Sequence, residues 1–156
     1  MPDDGQPIIR NRRARYDYFV DDTIEAGIAL EGTEVKSLRL GNATLGDGYA
    51  RIENGEAWLY EVSISPYKWG HQSNVPPRRR RRLLLKKAEI RRLLRATLEK
   101  GATLIPLSIY FHRGHAKVEL GVCRGKRQYD KKHAIAERDA QRELARATSE
   151  RHKRDD

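Results

Sequence analysis

The sequence predicts a mainly β protein with some α-helix: a small antiparallel β-barrel, two to three flanking helices and a C-terminal tail. Short segments in which apolar and polar residues alternate recur up to Val122, separated by turn residues. The length of 156 residues suits one domain with a modest core. Beyond Tyr129 the only large aliphatic residues are Ile135 and Leu144, so this tail lacks the apolar surface that would hold it on a core.

The first predicted strand runs from Tyr18 to Leu30, because every second residue from Ile24 onward is apolar. Gly32 interrupts this pattern. Thr33 is placed to cap a short helix, and Gly41 stands where that helix is expected to end.

A hairpin follows, with arms at Tyr49 to Glu53 and Glu56 to Ile64. The turn Asn54-Gly55 between them favours the positive φ angles of a type I′ turn. The second arm is expected to be continuous and to carry three large residues on one face: Trp58, Tyr60 and Val62.

After a loop at Trp69 to Pro77, the segment Lys87 to Lys100 predicts a helix that ends at Gly101. Its packing stripe is expected to contain Ile90, Leu93, Leu94, Thr97 and Leu98, opposite a basic face of Arg91, Arg92 and Arg95.

A last hairpin is predicted from Thr103 to His112 and from His115 to Val122, with Arg113-Gly114 as its turn. At least five strands and two helices are thus expected. Closing the strands into a barrel, much as in oligonucleotide-binding (OB) folds, would remove exposed edges.

The strongest functional signal is a run of five arginines, Arg78 to Arg82. It opens a 20-residue window from Pro76 to Arg95 that holds ten basic residues and one acid. Because adjacent guanidiniums repel one another, all five are expected to be exposed and to need a polyanion. Nucleic acid is the favoured partner; a solvated face, an acidic protein and a membrane surface are the alternatives.

Composition and motifs exclude several other classes. The single cysteine, Cys123, rules out an internal disulfide, and no apolar run approaches the roughly 20 residues of a membrane span. Met1 to Gln6 is short and acidic rather than a signal peptide, so the expected compartment is the cytoplasm. The segment Gly121 to Lys126 has the wrong spacing for a phosphate loop.

Enzymatic chemistry has little support. His112 and His115 flank a turn without further metal ligands nearby in sequence. Asp21, Asp22 and Glu25 form an acidic cluster that would need more carboxylates for metal-dependent RNA cleavage. We therefore expect no enzyme, no catalytic residue, no cofactor and no metal.

Aromatic residues complement the basic ones, since they stack on unpaired bases. Those expected outside the core are Tyr16, Tyr67, Trp69 and Tyr129, with packing at the barrel rim as the alternative. In the tail, Arg138, Arg142 and Arg146 recur every fourth residue and would line one side of a helix. That side would lie along a phosphate backbone or in solvent. The predicted units are an RNA-binding barrel, 1–129, and a basic tail, 130–156, disordered when free.

Several longer motifs resemble a known family. NRRARYDYF from Asn11, EAGIALEGTEVKSLRLG from Glu25, RRLLL ending at Leu85 and GKRQYDKK from Gly125 occur in the order and spacing of the SmpB family, the SsrA-binding proteins of bacterial trans-translation. The resemblance covers Ile8 to about Arg138.

This resemblance implies a barrel with an OB-fold-like core. It also implies a factor that binds the tRNA-like domain of transfer-messenger RNA, in the place of the missing anticodon arm, and brings it to stalled ribosomes together with elongation factor Tu. Asn11, Glu25 and Leu84 match family positions at the RNA interface. The remaining expected RNA contacts are basic: Arg13, Arg78, Arg79, Arg80, Arg81, Arg82, Lys86, Lys87, Lys126 and Arg127.

The resemblance further implies that the tail enters the empty message channel of the small ribosomal subunit and contacts its RNA. Residues expected there are Tyr129, Asp130, Lys131, Lys132, Arg138, Arg142 and Arg146. Tyr129 occupies a position at which some members have histidine, and Lys132 occupies a position at which the family motif has arginine. A basic structural protein of the ribosome is the alternative function.

Overall fold

The computed structural model describes residues 7–126 of the chain. The chain divides after Arg124 into two units, Met1–Arg124 and Gly125–Asp156. The contacts expected of Arg127, of Tyr129 and of the tail, 130–156, lie outside the described residues. The domain boundary after residue 129 stays a prediction.

The described residues form nine strands, three α-helices and one 3-10 turn. The first half contains β1 (Pro7–Arg10), α1 (Ala14–Asp17), β2 (Tyr18–Ile28), α2 (Gly32–Arg39), β3 (Ala43–Thr44) and β4 (Tyr49–Glu53). The second half contains β5 (Glu56–Tyr60), β6 (Ser63–Ile64), a 3-10 turn (His71–Ser73), β7 (Arg81–Leu84), α3 (Lys87–Lys100), β8 (Thr103–His112) and β9 (His115–Gly125).

The strands close into a barrel, as the sequence predicts. Seven strands pair in the order β1-β8-β4-β5-β7-β2-β9, and an additional pairing of β8 with β9 completes the ring. The short strands β3 and β6 form a separate antiparallel ribbon. Each strand of the ring has a neighbour on both sides, whereas β1 pairs only with β8 and is an edge strand.

The barrel interior is filled by the residues that alternate along the strands. In β2, Ile24, Ala26 and Ile28 are all buried, which confirms the predicted face. From outside the ring, α2 contributes Leu38 and α3 contributes Leu93, each 0% exposed. One continuous core therefore joins both helices to the barrel.

Helix α2 forms where predicted, but Thr33 does not cap it. Its N-cap is Glu31, whose backbone N–H donates to Oε1 of Glu34 at 2.9 Å in a capping box. The hydroxyl of Thr33 instead donates to the carbonyl of Ser73 at 3.3 Å. Gly41, with φ +76°, follows the helix as expected.

The second arm of the first hairpin is not continuous. Glu61 adopts φ 60°, in the left-handed region, and divides the predicted strand into β5 and β6. Alternation holds only while the backbone stays extended, so Val62 is buried whereas Trp58 and Tyr60 are half-exposed. The expectation that these three residues share a face is wrong.

Helix α3 has the predicted bounds and ends at Gly101, which has φ +64°. Its buried stripe is narrower than predicted, because Leu93 is its one fully buried residue and Leu98 is 76% exposed. A helix lying on a barrel contacts it along a line, and Leu98 is off that line. Among the helices within residues 7–126, none combines the length and apolar character needed to cross a membrane.

Candidate RNA-binding surface

The arginine run leads into β7, and the alternation of that strand separates its members. Arg80 and Arg82 are exposed, whereas Arg81 points inward and is 0% exposed. Arg79 is half-buried. The expectation that all five guanidiniums are exposed is therefore wrong, and Arg81 is not available to a phosphate.

Glu34 of α2 is the reason that a buried arginine is tolerated. Nε of Arg81 donates to Oε2 of Glu34 at 2.6 Å, and its other nitrogens donate to the carbonyls of Val62 at 2.7 Å and Pro77 at 2.9 Å. Nε of Arg79 reaches the same carboxylate at 3.2 Å. Each of the three nitrogens of the buried guanidinium thus has an acceptor, as a buried charge requires.

The pKa of Glu34 reflects this environment. Burial alone would raise the pKa, but the hydrogen bonds from Arg79 and the backbone, together with the charge of Arg81, outweigh burial and leave the pKa below its ordinary value. Burial lowers the pKa of Arg81, and the carboxylate of Glu34 opposes that effect. Both groups stay charged in the folded protein at neutral pH.

The exposed arginines of the run also have carboxylate neighbours. Arg78 lies 3.2 Å from Glu61, Arg80 lies 3.7 Å from Glu53, and Arg82 lies 3.4 Å from Glu56. The guanidinium of Arg80 also stacks 4.0 Å from the ring centroid of Trp58. Exposed ion pairs of this kind contribute only about 0–1 kcal/mol, so a phosphate can displace the carboxylates.

An open groove of about 580 Å³ lies between β2, β7 and the start of α3. It brings together four of the expected RNA contacts: Glu25, Arg82, Leu84 and Lys86. Leu84 is 53% exposed although its neighbour Leu83 is buried in the core. The groove lining therefore combines apolar side chains with three cations, Arg82, Lys86 and Lys117, and three carboxylates, Glu25, Glu56 and Glu89.

Gly27 gives this groove its depth on the β2 side. It pairs with Leu84 across the two strands, and a Cβ at this position would lie 3.1 Å from Cβ of Leu84. A larger residue would push Leu84 aside or fill the groove.

Glu25 is held by Tyr110 of β8, whose hydroxyl donates to Oε2 of Glu25. The pKa of Tyr110 is raised by burial, by this hydrogen bond and by the charges of Glu25 and Glu119. Tyr110 therefore keeps its proton and fixes the orientation of the Glu25 carboxylate.

Asn11 and Arg13 lie in a different cavity, of about 360 Å³, which shares no lining residue with the groove. Nδ2 of Asn11 donates to the carbonyl of Pro106 at 3.0 Å, and its Oδ1 accepts from the N–H of Ala14 at 3.2 Å. The side chain therefore joins the start of α1 to β8. Arg13 is exposed next to it.

The remaining described cations are placed separately. Lys87 is exposed in the first turn of α3, next to Lys86 of the groove, and Lys126 is half-buried just after β9. Arg127 lies outside the described residues.

The acidic cluster does not converge on a common point. Asp21 pairs with Arg124 at 2.6 Å, Asp22 pairs with Arg92, and Glu25 binds Tyr110. Three carboxylates with three different partners do not form the shared site that two-metal RNA cleavage needs.

Sequence reasoning missed the residues that organise this surface. The period-two alternation of β7 could have indicated that Arg81 points inward, because Leu83 two residues later is clearly a core residue. By contrast, Glu34 and Tyr110 are 47 and 85 residues away in sequence from the groups that they hold, Arg81 and Glu25. No local pattern indicates such contacts.

Known proteins resemble this chain over most of its length. Residues 8–150 match the family model described as SmpB protein. The SsrA-binding protein of Moorella thermoacetica is 61% identical over 144 residues, 92% of this chain and 93% of the relative. That of Thermobifida fusca is 56% identical over 144 residues, 92% of this chain and 90% of the relative.

Among solved structures, one described as "tmRNA-SmpB: a journey to the center of the bacterial ribosome" is 54% identical, with a TM-score of 0.68. The aligned region covers 83% of this chain and 95% of the chain in that structure. Sequence and fold thus agree, and the chain belongs to the SmpB family.

Proposed function

We propose that this chain binds the tRNA-like domain of transfer-messenger RNA, the SsrA RNA, and brings it to stalled ribosomes in the bacterial cytoplasm. The names of its relatives state SsrA binding, and the similar solved structure is described as tmRNA with SmpB in the bacterial ribosome. The chain acts in this proposal as a binding factor and not as an enzyme.

The groove between β2 and β7 is the observation that supports this function most directly. Arg82 and Lys86 supply cations at its edge for phosphates, which position RNA without reading its sequence. The fixed carboxylate of Glu25 accepts hydrogen bonds from the amino groups of bases. Leu84 packs against an unstacked base or a ribose, as recognition of folded RNA loops requires.

Leu84→Ala tests the groove. Truncating the side chain at Cβ removes three carbon atoms that are about half exposed in the free protein, so it should weaken binding of the isolated tRNA-like domain by about tenfold. Binding is measured by titration at near-physiological salt. Leu98→Ala is the matched control, since Leu98 is equally apolar and 76% exposed but lies outside the groove. Equal affinities of both variants and wild type would contradict the role of the groove.

We propose that the segment 130–156 acts separately, in the message channel of the small subunit, with Tyr129 just before it and Asp130 to Lys132 at its start. This segment has eight basic and seven acidic residues and few large apolar ones, so in this proposal it folds on the surface of its partner. Deleting it should leave binding of the tRNA-like domain within about twofold of wild type, because no groove residue is removed. Rescue of stalled ribosomes in a reconstituted translation reaction should be lost. Full rescue by the truncated chain would contradict the proposal.

A further inference from the structure

A second surface of the barrel has the features of an RNA contact and lies away from the groove. We name residues 66–74 the aromatic loop. Trp69 in this loop is 62% exposed, and Tyr67 packs edge-on to it with ring centroids 5.3 Å apart. Nζ of Lys68 lies 5.4 Å from the Trp69 ring, and Nζ of Lys36 of α2 lies 5.3 Å from the Tyr67 ring.

The aromatic loop is held in this conformation by its own contacts. The side chain of Asn74 bonds the backbone of Tyr67 twice, with its Oδ1 accepting at 2.8 Å and its Nδ2 donating at 2.9 Å. A Cβ on Gly70 would come within 2.7 Å of Oδ1 of Asn74 and 2.9 Å of Cγ2 of Thr33, so the loop packs closely on α2. Trp69 is therefore presented on a preorganised loop, which reduces the entropy lost on binding.

The charge around this loop differs from that of the arginine run. No aspartate or glutamate occurs from Val62 to Pro77. Within residues 7–126, Lys36 and Lys68 contact aromatic rings but have no carboxylate at ion-pair distance, whereas Arg78 has two such carboxylates and Arg80 and Arg82 have one each. Among the described residues, the charge of the two lysines is thus not paired with an acid.

We propose that the aromatic loop is a second RNA contact, at which the indole of Trp69 stacks on an unpaired base and Lys36 and Lys68 bind the adjacent phosphates. An indole face accepts any base, and lysines beside it match the backbone charge of a single strand. One exposed indole with two cations is too small an anchor for a stable protein interface. The site goes beyond the proposed function and does not depend on the groove.

Tryptophan fluorescence tests this proposal locally, because the chain has two tryptophans, Trp58 and Trp69. In full-length Trp58→Phe protein the signal comes from Trp69 alone. A short single-stranded RNA should quench it, because a stacked base contacts the indole. A duplex of the same sequence, whose bases are already stacked, and an abasic strand, which keeps only the phosphates, should leave the signal nearly unchanged.

Equal quenching by the abasic strand or the duplex would overturn the stacking proposal. Quenching by polyglutamate and not by RNA would identify an acidic protein as the partner instead. No response to any of these probes at low salt would also overturn the proposal.

Further substitutions in the Trp58→Phe protein test the two lysines. Replacing Lys36 and Lys68 by glutamine should reduce the slope of log affinity against log salt concentration, taken from the quenching midpoints, by about 1.4, the value for two phosphates of a single strand. Leu98→Ala, an exposed residue of α3 outside this loop, is the control and should leave the quenching midpoint unchanged. An unchanged slope after loss of both lysines would contradict their role at this site.

Discussion

Glu34 determines how the arginine-rich segment is arranged. Its carboxylate, 3% exposed, holds both Arg81 and Arg79 and so joins α2 to β7. With Arg81 fixed inward, the strand's alternation directs Arg80 and Arg82 outward and places Leu84 in the groove. One buried acid thereby positions several groups that it does not touch.

Glu34→Gln should lower the free energy of unfolding by about 3 kcal/mol at pH 7, because it leaves the buried charge of Arg81 without a carboxylate. The measurement is urea unfolding. Glu56→Gln is the control: its ion pair with Arg82 is exposed, so the loss should be no more than about 1 kcal/mol. Similar losses in both variants would contradict the role of Glu34.

The pH dependence of this difference has a defined sign. The folded protein holds the pKa of Glu34 below its ordinary value of 4.5, so the stabilisation is complete above pH 4.5 and is lost as pH falls through the folded pKa. The gap between wild type and Glu34→Gln should therefore narrow on acidification. A gap that widened below pH 4.5 would contradict a lowered pKa.

At the scale of elements, the hairpin turns and the C-terminal ends of α2 and α3 were predicted correctly, because residues close together in sequence determine them. The hairpin β8–β9 and helix α3 form with the predicted turns, because Gly114 and Gly101 take the positive φ angles that their positions need. The break between β5 and β6 was not predictable, since Glu61 has no conformational preference for φ 60°. After Glu61 the chain leaves β5 and pairs with β3 through Ser63 and Ile64, a contact distant in sequence.

Some features of the candidate site were likewise predictable from the local sequence, and others were not. Exposure of Leu84 beside buried Leu83 follows from strand alternation, and the basic character of the segment is evident from composition. The burial of Arg81 conflicts with the usual rule that arginines are exposed, and only the distant Glu34 explains it. Contacts between residues far apart in sequence are the part that one sequence does not specify.

The exposed arginines of β7 and the residues before it should act through phosphates. Replacing Arg78, Arg80 and Arg82 by glutamine should weaken binding to every RNA similarly and reduce the salt slope by about one unit for each phosphate that is no longer bound. Titrations across a salt series measure this slope. Arg81 is left unchanged, because its removal would destabilise the fold. If the slope of the triple variant equalled that of wild type, these arginines would contact no phosphate.

The whole molecule presents two different surfaces on one closed barrel. The groove is suited to recognise the shape of an RNA through Leu84 and the fixed Glu25, whereas the aromatic loop has an indole face for stacking and two lysines. A closed ring of strands is suited to this, since its strands are paired on both sides and leave few edges that could pair with other chains.

A permanent ribosomal component and a factor that leaves the ribosome would differ in how firmly the whole protein stays bound to ribosomal subunits. A component would remain with salt-washed subunits at fixed stoichiometry, whereas the proposed factor should be released by high salt, because its exposed cations bind phosphates reversibly. Co-sedimentation distinguishes the two.

The central claim is that the groove recognises the shape of one RNA. It is tested most directly by titrating the full-length protein with the isolated tRNA-like domain of transfer-messenger RNA and with an ordinary elongator tRNA, each at low and at near-physiological salt. Recognition of shape predicts a preference for the tRNA-like domain that persists at the higher salt, because contacts of Leu84 and Glu25 do not depend on counterion release. Equal binding of both RNAs, lost for both as the salt concentration rises, would contradict the claim, because the basic surface alone would then account for binding.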